Sequence, residues 1–84
     1  MFQRRSNVNG CVQSYVAEDG QSAIMIEMIC DTDFYAKSQR FTEFVREYCK
    51  LIHDDKGEEA FNLILWARDF FKENVYRGRL EEWK

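Results

Sequence analysis

Between Cys30 and Lys37 the chain changes period. Up to Cys30 runs Ser22-Ala23-Ile24-Met25-Ile26-Glu27-Met28-Ile29-Cys30, a stretch with the composition of a strand. Beyond Lys37, Phe41, Phe44, Val45, Tyr48, Cys49 and Ile52 recur at i, i+3, i+4, i+7, i+8 and i+11, the spacing of one apolar helix face. The two periods cannot belong to one element, so Cys30–Lys37 is a strand-to-helix junction with hairpin before it and helix after it. At the junction Thr32 can cap a first turn, and Asp33 can sit where free backbone amides and the helix dipole favour a carboxylate. Phe34 is left at the rim. It either folds back into the core or projects as an anchor for a partner, and local pattern carries both readings.

The hairpin is anchored by Asp19-Gly20, a dipeptide favoured in tight turns. Taken as a two-residue loop, it joins a strand over about 10–17 to one over about 22–30, with Glu18 opposite Gln21. Counting back, Tyr15 falls opposite Ile24, Gln13 opposite Ile26 and Cys11 opposite Met28. Ile24, Ile26, Met28 and Cys30 then share the core face, and Glu27 points the other way. That other face carries Val12, Val16, Ala23, Met25 and Ile29, more apolar than solvent requires. A lone two-stranded ribbon is marginal in water, so a third element or a second copy is expected to shield that face or an edge, a structural argument for a homodimer through the hairpin sheet.

The first helix is expected over about 39–53, with Ser38 as a second N-cap candidate. Asp54-Asp55-Lys56-Gly57 interrupts the pattern, and Glu58-Glu59 suits a new first turn. A second helix is expected over about 57–76, with an inner stripe of Ala60, Leu63, Ile64, Ala67 and Phe71 widened by Phe61, Leu65 and Phe70. Gly78 is expected to end it, leaving Leu80–Lys84 as a tail or short turn. The fold class is therefore α+β: an antiparallel hairpin on two helices, with residues 1–9 as an arm and residues 10–84 as one domain.

The 84 residues suffice for one small core, and 15 acidic residues interspersed with 12 basic ones leave no basic field of the kind that binds nucleic acid. Arg4-Arg5 and Arg77-Gly78-Arg79 are short clusters that read as solvated ends. Cys11, Cys30 and Cys49 are odd in number and lack Cys-x-x-Cys spacing, which points to reduced thiols in a cytoplasmic setting. No stretch has the length of a membrane span, and no membrane partner is expected.

Catalytic chemistry has little to work with. His53 is the single histidine, at a predicted helix end where the dipole favours an imidazolium. The acids Asp54, Asp55, Glu58 and Glu59 lack the alternating ligand spacing of a calcium loop. There is no phosphate-cradling glycine loop and no nucleophile elbow. The reading is a binding module that makes and breaks no bonds and takes no cofactor or metal.

Residues Gly10 to Phe44 resemble the first half of the core, or dimerisation, domain of elongation factor Ts, the guanine nucleotide exchange factor of the translation GTPase elongation factor Tu. Gly10-Cys11-Val12 is similar to the family's strand start, Asp19-Gly20 to its hairpin turn, and Ile24–Cys30 to its aliphatic-Glu-Val-Asn-Cys strand. Thr32-Asp33-Phe34-Tyr35-Ala36-Lys37 is similar to its Thr-Asp-Phe-Val-Ala-Lys/Arg signature, with Phe41 and Phe44 in the helix that follows. Tyr35 stands where the family has Val, Asp31 where Glu or Gln is common, and Ile29 where Asn is frequent.

The resemblance implies that Thr32, Asp33, Phe34 and Tyr35 form the partner-binding site. It implies that Phe34 enters elongation factor Tu near the nucleotide, disturbing the magnesium and phosphate contacts of bound GDP. An insertion that fits only the rearranged GTPase favours the form that holds nucleotide weakly, and by reciprocity nucleotide weakens the factor's grip. The resemblance is to a minimal version of the family: its N-terminal helical domain, which would lie before residue 1, is expected to be lacking, and its second core subdomain has no room after residue 84. The alternative function is a non-exchanging module that docks on elongation factor Tu or another partner for assembly.

Overall fold

The structure, a computed structural model, describes residues 9–31 and 38–83. Its elements are β1 (Asn9–Val16), β2 (Ala23–Cys30), α1 (Gln39–His53), α2 (Gly57–Phe71) and β3 (Val75–Trp83). The expected α+β architecture is present; of the expected arm over residues 1–9, Asn9 begins β1 and residues 1–8 lie outside the described residues. The three strands form one antiparallel sheet in the order β1-β2-β3, so the apolar strand β2 is central. Both helices pack on the face that carries Ile24, Ile26, Met28 and Cys30, all buried.

The hairpin register is the one that the sequence predicts: Tyr15 pairs with Ile24, Gln13 with Ile26 and Cys11 with Met28. The loop itself differs. A two-residue loop of the expected kind needs left-handed backbone at both Asp19 and Gly20, but only Gly20 has it, at φ 71°. Instead the Gly20 amide donates to the Ala17 carbonyl at 2.9 Å, and the Ala17 amide donates to the Ser22 carbonyl at 2.9 Å. The strands are therefore joined by residues 17–22, in which the Ala17–Ser22 bond closes a turn over 18–21 that Asp19 reinforces by accepting from the Gln21 amide at 2.9 Å. Both loops leave the same residues opposite one another, which is why the register survives the change.

Helix α1 spans the expected residues. Ser38 is its N-cap, with its hydroxyl accepting from the Phe41 amide at 3.1 Å, a contact worth about 1 kcal/mol. Phe41, Phe44, Val45, Tyr48 and Cys49 are its buried face. The chain turns at Asp54–Lys56, where Asp55 takes the left-handed conformation at φ 62° and the Lys56 amide donates to the Leu51 carbonyl at 2.8 Å.

The C-terminal third corrects the sequence reading. Helix α2 stops at Phe71, with Lys72 left-handed at φ 58° and ψ 37° as its cap, rather than running to residue 76. Val75–Trp83 is then a full strand on the free edge of β2, neither a tail nor a short turn. Strand formers Val75, Tyr76 and Trp83 pair with Cys30, Ile29 and Ala23, and Val75 enters the core. Gly78, expected as a helix stop, lies instead at a bulge: Ile26 pairs with Leu80 and Met28 with Arg77, so Gly78 and Arg79 together oppose Glu27.

Ala60, Ile64, Ala67 and Phe71 are buried on α2 as expected, and Leu63 is half-buried against them. Phe61, Leu65 and Phe70 are exposed and do not widen the stripe. The sheet's second face carries Val12, Met25, Glu27 and Ile29 and gains Tyr76, Glu81 and Trp83 from the strand pairing; neither helix lies on it.

Candidate functional site

Thr32, Asp33, Phe34 and Tyr35, the residues singled out by sequence, lie outside the described residues, as does the proposed Thr32 cap. The structure describes the frame from which they hang. On one side β2 ends at Cys30, buried and paired with Val75, and on the other Ser38 starts α1.

Each end of this frame is tied down. Asp31 accepts a hydrogen bond from the Asn74 side-chain amide at 2.9 Å, and Arg68 of α2 donates from Nε to the Val75 carbonyl at 2.8 Å. Asp31, Arg68, Lys72, Glu73 and Asn74 line an open hollow of about 560 Å³ beside the β2 exit. Behind the α1 start, Phe41 is fully buried with its ring 5.5 Å from Phe44 and 5.4 Å from Phe71. The left-handed Lys72 is what brings the Glu73–Val75 turn next to Asp31. This contact was not foreseeable while residues 72–76 read as helix.

The histidine is better engaged than its sequence position suggests. His53 Nε2 lies 2.7 Å from Ser22 Oγ, its Nδ1 lies 3.2 Å from Asp54 Oδ1, and its ring meets Tyr15 edge-on at 5.1 Å. The Ser22 and Tyr15 contacts tie the last turn of α1 to the hairpin, beside the loop that joins β1 to β2. Among the described residues no group of three His, Cys, Asp or Glu side chains is placed to hold a metal ion. No described helix is long and apolar enough to cross a membrane.

All three cysteines are free thiols and buried. Burial pushes the Cys49 thiol up from its ordinary 9.0 to about 11, against a backbone hydrogen bond at Ile26 that lowers it. Burial likewise raises the Tyr48 hydroxyl, while the Arg77 guanidinium, which is hydrogen-bonded to it, pulls the other way. Sequence reading missed this Tyr48–Arg77 contact between α1 and β3, since β3 itself was unforeseen.

Comparison with known proteins places the chain beside one set of relatives. It is 34% identical over 73 residues to elongation factor Ts of Nautilia profundicola, a match that covers 84% of this chain and 24% of that protein. It is 40% identical over 42 residues to elongation factor Ts of Solidesulfovibrio magneticus, covering 50% of this chain and 21% of the relative. With elongation factor Ts of Streptomyces ramocissimus the identity is 46% over 37 residues, covering 44% of this chain and 13% of the relative. The chain thus spans about a quarter or less of the length of these relatives. No family model matches the chain. No solved structure matches it either.

Proposed function

We propose that the chain is a module of the elongation factor Ts type that binds elongation factor Tu and promotes release of GDP, with Phe34 as the inserted residue and Thr32, Asp33 and Tyr35 around it. The observation that carries this reading is the likeness to elongation factors Ts, which with that of Nautilia profundicola takes in 84% of the chain. The frame is consistent with it. A residue that must wedge open another protein has to be presented from a support that does not yield, and both ends of the 32–37 segment attach to anchored elements: β2 through the Cys30–Val75 pair and Asp31–Asn74, and α1 through Ser38 and Phe41.

The energetic requirement is modest. A tenfold weakening of GDP binding needs about 1.4 kcal/mol of preference for the rearranged GTPase, within the reach of one buried aromatic anchor. No bond is made or broken.

A second reading is that the chain docks on elongation factor Tu, or on another partner, for assembly without exchange. Self-association belongs with either reading. Exposed Tyr76 and Trp83, with Met25 between β1 and β3, give the second sheet face an apolar character that a second copy would cover.

Release of a fluorescent GDP analogue from purified elongation factor Tu separates the readings. Acceleration that saturates with added chain supports exchange. Binding without acceleration supports the docking module, and absence of both removes elongation factor Tu as the partner.

A further inference from the structure

The two helices form a second surface. Helices α1 and α2 leave a groove of about 340 Å³ between their outer edges, lined by Arg40, Glu43, Phe44, Glu47, Leu63 and Trp66. Its two walls differ in character. The α1 wall presents Arg40, Glu43 and Glu47 at i, i+3 and i+7, and the α2 wall presents Leu63 and Trp66, with Phe70 one turn on stacked against Trp66. The buried ring of Phe44 closes the floor.

The apolar wall is pre-organised although it faces solvent. Trp66 and Phe70 are 42% and 48% exposed, yet their rings stack at 5.0 Å with 17° between planes. The Arg40 guanidinium sits 5.2 Å above the Phe70 ring and closes one end of the groove. Two large aromatics held in one orientation beside a cavity are costly to expose and cheap to dock against, since little side-chain entropy remains to be lost.

The charge of the opposite wall decides what fits. Arg40 is engaged with Phe70, and Glu43 accepts from Gln39 at 3.1 Å. Glu47, one turn on, has no hydrogen bond or ion pair among the described residues. The groove therefore offers an aromatic wall facing two carboxylates one turn apart, the second of them unengaged.

We propose that this groove is a docking site for an amphipathic helix of a partner protein, one that sets an apolar i, i+3/i+4, i+7 row against Leu63, Trp66 and Phe70 and a row of Lys or Arg against Glu43 and Glu47. This is the helix-in-groove mode, with opposite charge on the flank choosing the partner and its direction. The argument for this groove uses none of Thr32, Asp33, Phe34 or Tyr35, and peptide binding is measured apart from GDP release, so the failure of either assignment is distinguishable from the failure of the other.

The test uses the full chain carrying Trp83→Phe, in which Trp66 is the sole indole of the two that the chain contains. Two synthetic helical peptides serve as probes, identical in their leucine row and carrying either lysines or glutamates along one flank. The basic peptide is expected to shift Trp66 emission to the blue and to bind at least tenfold tighter than the acidic one. The double variant Glu43→Lys, Glu47→Lys, both at exposed positions, is expected to reverse that order. Trp66→Ala, read by a dye on the peptide, is expected to lose at least tenfold.

Equal binding of the two peptides, binding of neither, or a preference for the basic peptide that survives the charge reversal would overturn the proposal. So would a chain that sediments as a dimer and is split by the charge reversal, because the occupant would then be a second copy.

Discussion

Glu27 stands over Gly78: a Cβ placed at residue 78 would lie 2.7 Å from Glu27 Oε1 and 2.8 Å from Ile29 Cδ1. The bulge in β3 and the absence of a side chain there make the room that the carboxylate occupies. Glu27 is 1% exposed, and its Oε2 has no hydrogen-bond partner among the described residues. A buried acceptor left unmatched costs about 1–3 kcal/mol. Glu27→Met, close in volume and free of that cost, is expected to raise the midpoint of thermal unfolding of the isolated chain. Gly78→Val, which crowds the same space, is expected to lower it by an amount typical of overpacking, about 1–3 kcal/mol. A Glu27→Met chain less stable than the parent would mean that the carboxylate is paired in solution.

Cys49 gives a prediction in pH. Its folded thiol is raised to about 11 by burial, while in the unfolded chain it ionises near its ordinary 9.0. Between these values the folded state keeps a proton that the unfolded state releases, so this residue's contribution to stability is intact below the lower value and declines as pH rises through the window. At pH 8 the two-unit rise also cuts the thiolate fraction about a hundredfold. Iodoacetamide should leave Cys49 unmodified in the native chain at pH 8, and should label Cys11, Cys30 and Cys49 together after denaturation without reductant. Native labelling of Cys49 at the rate of a free thiol, or a pair of cysteines that resists labelling when unfolded, would contradict the account.

The open sheet face predicts the behaviour of Met25. Met25 is half-buried between Ser14 and Glu81 on the face that neither helix touches. If two copies cover that face, Met25→Lys places a charge in the interface, and sedimentation should show the parent as a dimer and the variant as a monomer. A parent chain whose mass and melting are both unmoved by the substitution, within the roughly 0.5 kcal/mol of an ordinary surface change, would show the face to be free.

Legibility in the sequence followed the strength of local signals. The β1–β2 register could be counted from one turn because a slip of a single residue would send Ile24, Ile26 and Met28 to the wrong face. The α1 limits were readable from six periodic residues and Ser38. The end of α2 was not, since Phe71 and Val75 are four apart and continue the helical stripe in sequence, while the left-handed turn at Lys72 breaks it in space. The available signal was the strand-forming trio Val75, Tyr76 and Trp83, with Gly78 among them in the role of a bulge. Arg77 was hidden for the same reason, although it reaches Tyr48. Of the candidate site, local pattern marked only a junction. The naming of Thr32, Asp33, Phe34 and Tyr35 came from resemblance, because an aromatic at a junction has the same local signature whether it turns inward or outward.

The central claim rests on Phe34 and is tested by one variant measured in two ways. A Phe34 that belonged to the core would cost about 3–5 kcal/mol of folding stability on replacement by Ala. An anchor would leave folding nearly intact and cost about 2 kcal/mol or more of binding, roughly a thirtyfold loss. The decisive measurement is GDP release from elongation factor Tu driven by Phe34→Ala, alongside its thermal unfolding. The account predicts a variant that melts close to the parent and accelerates release at least thirtyfold less well; a well-folded variant that accelerates release as the parent does would contradict it.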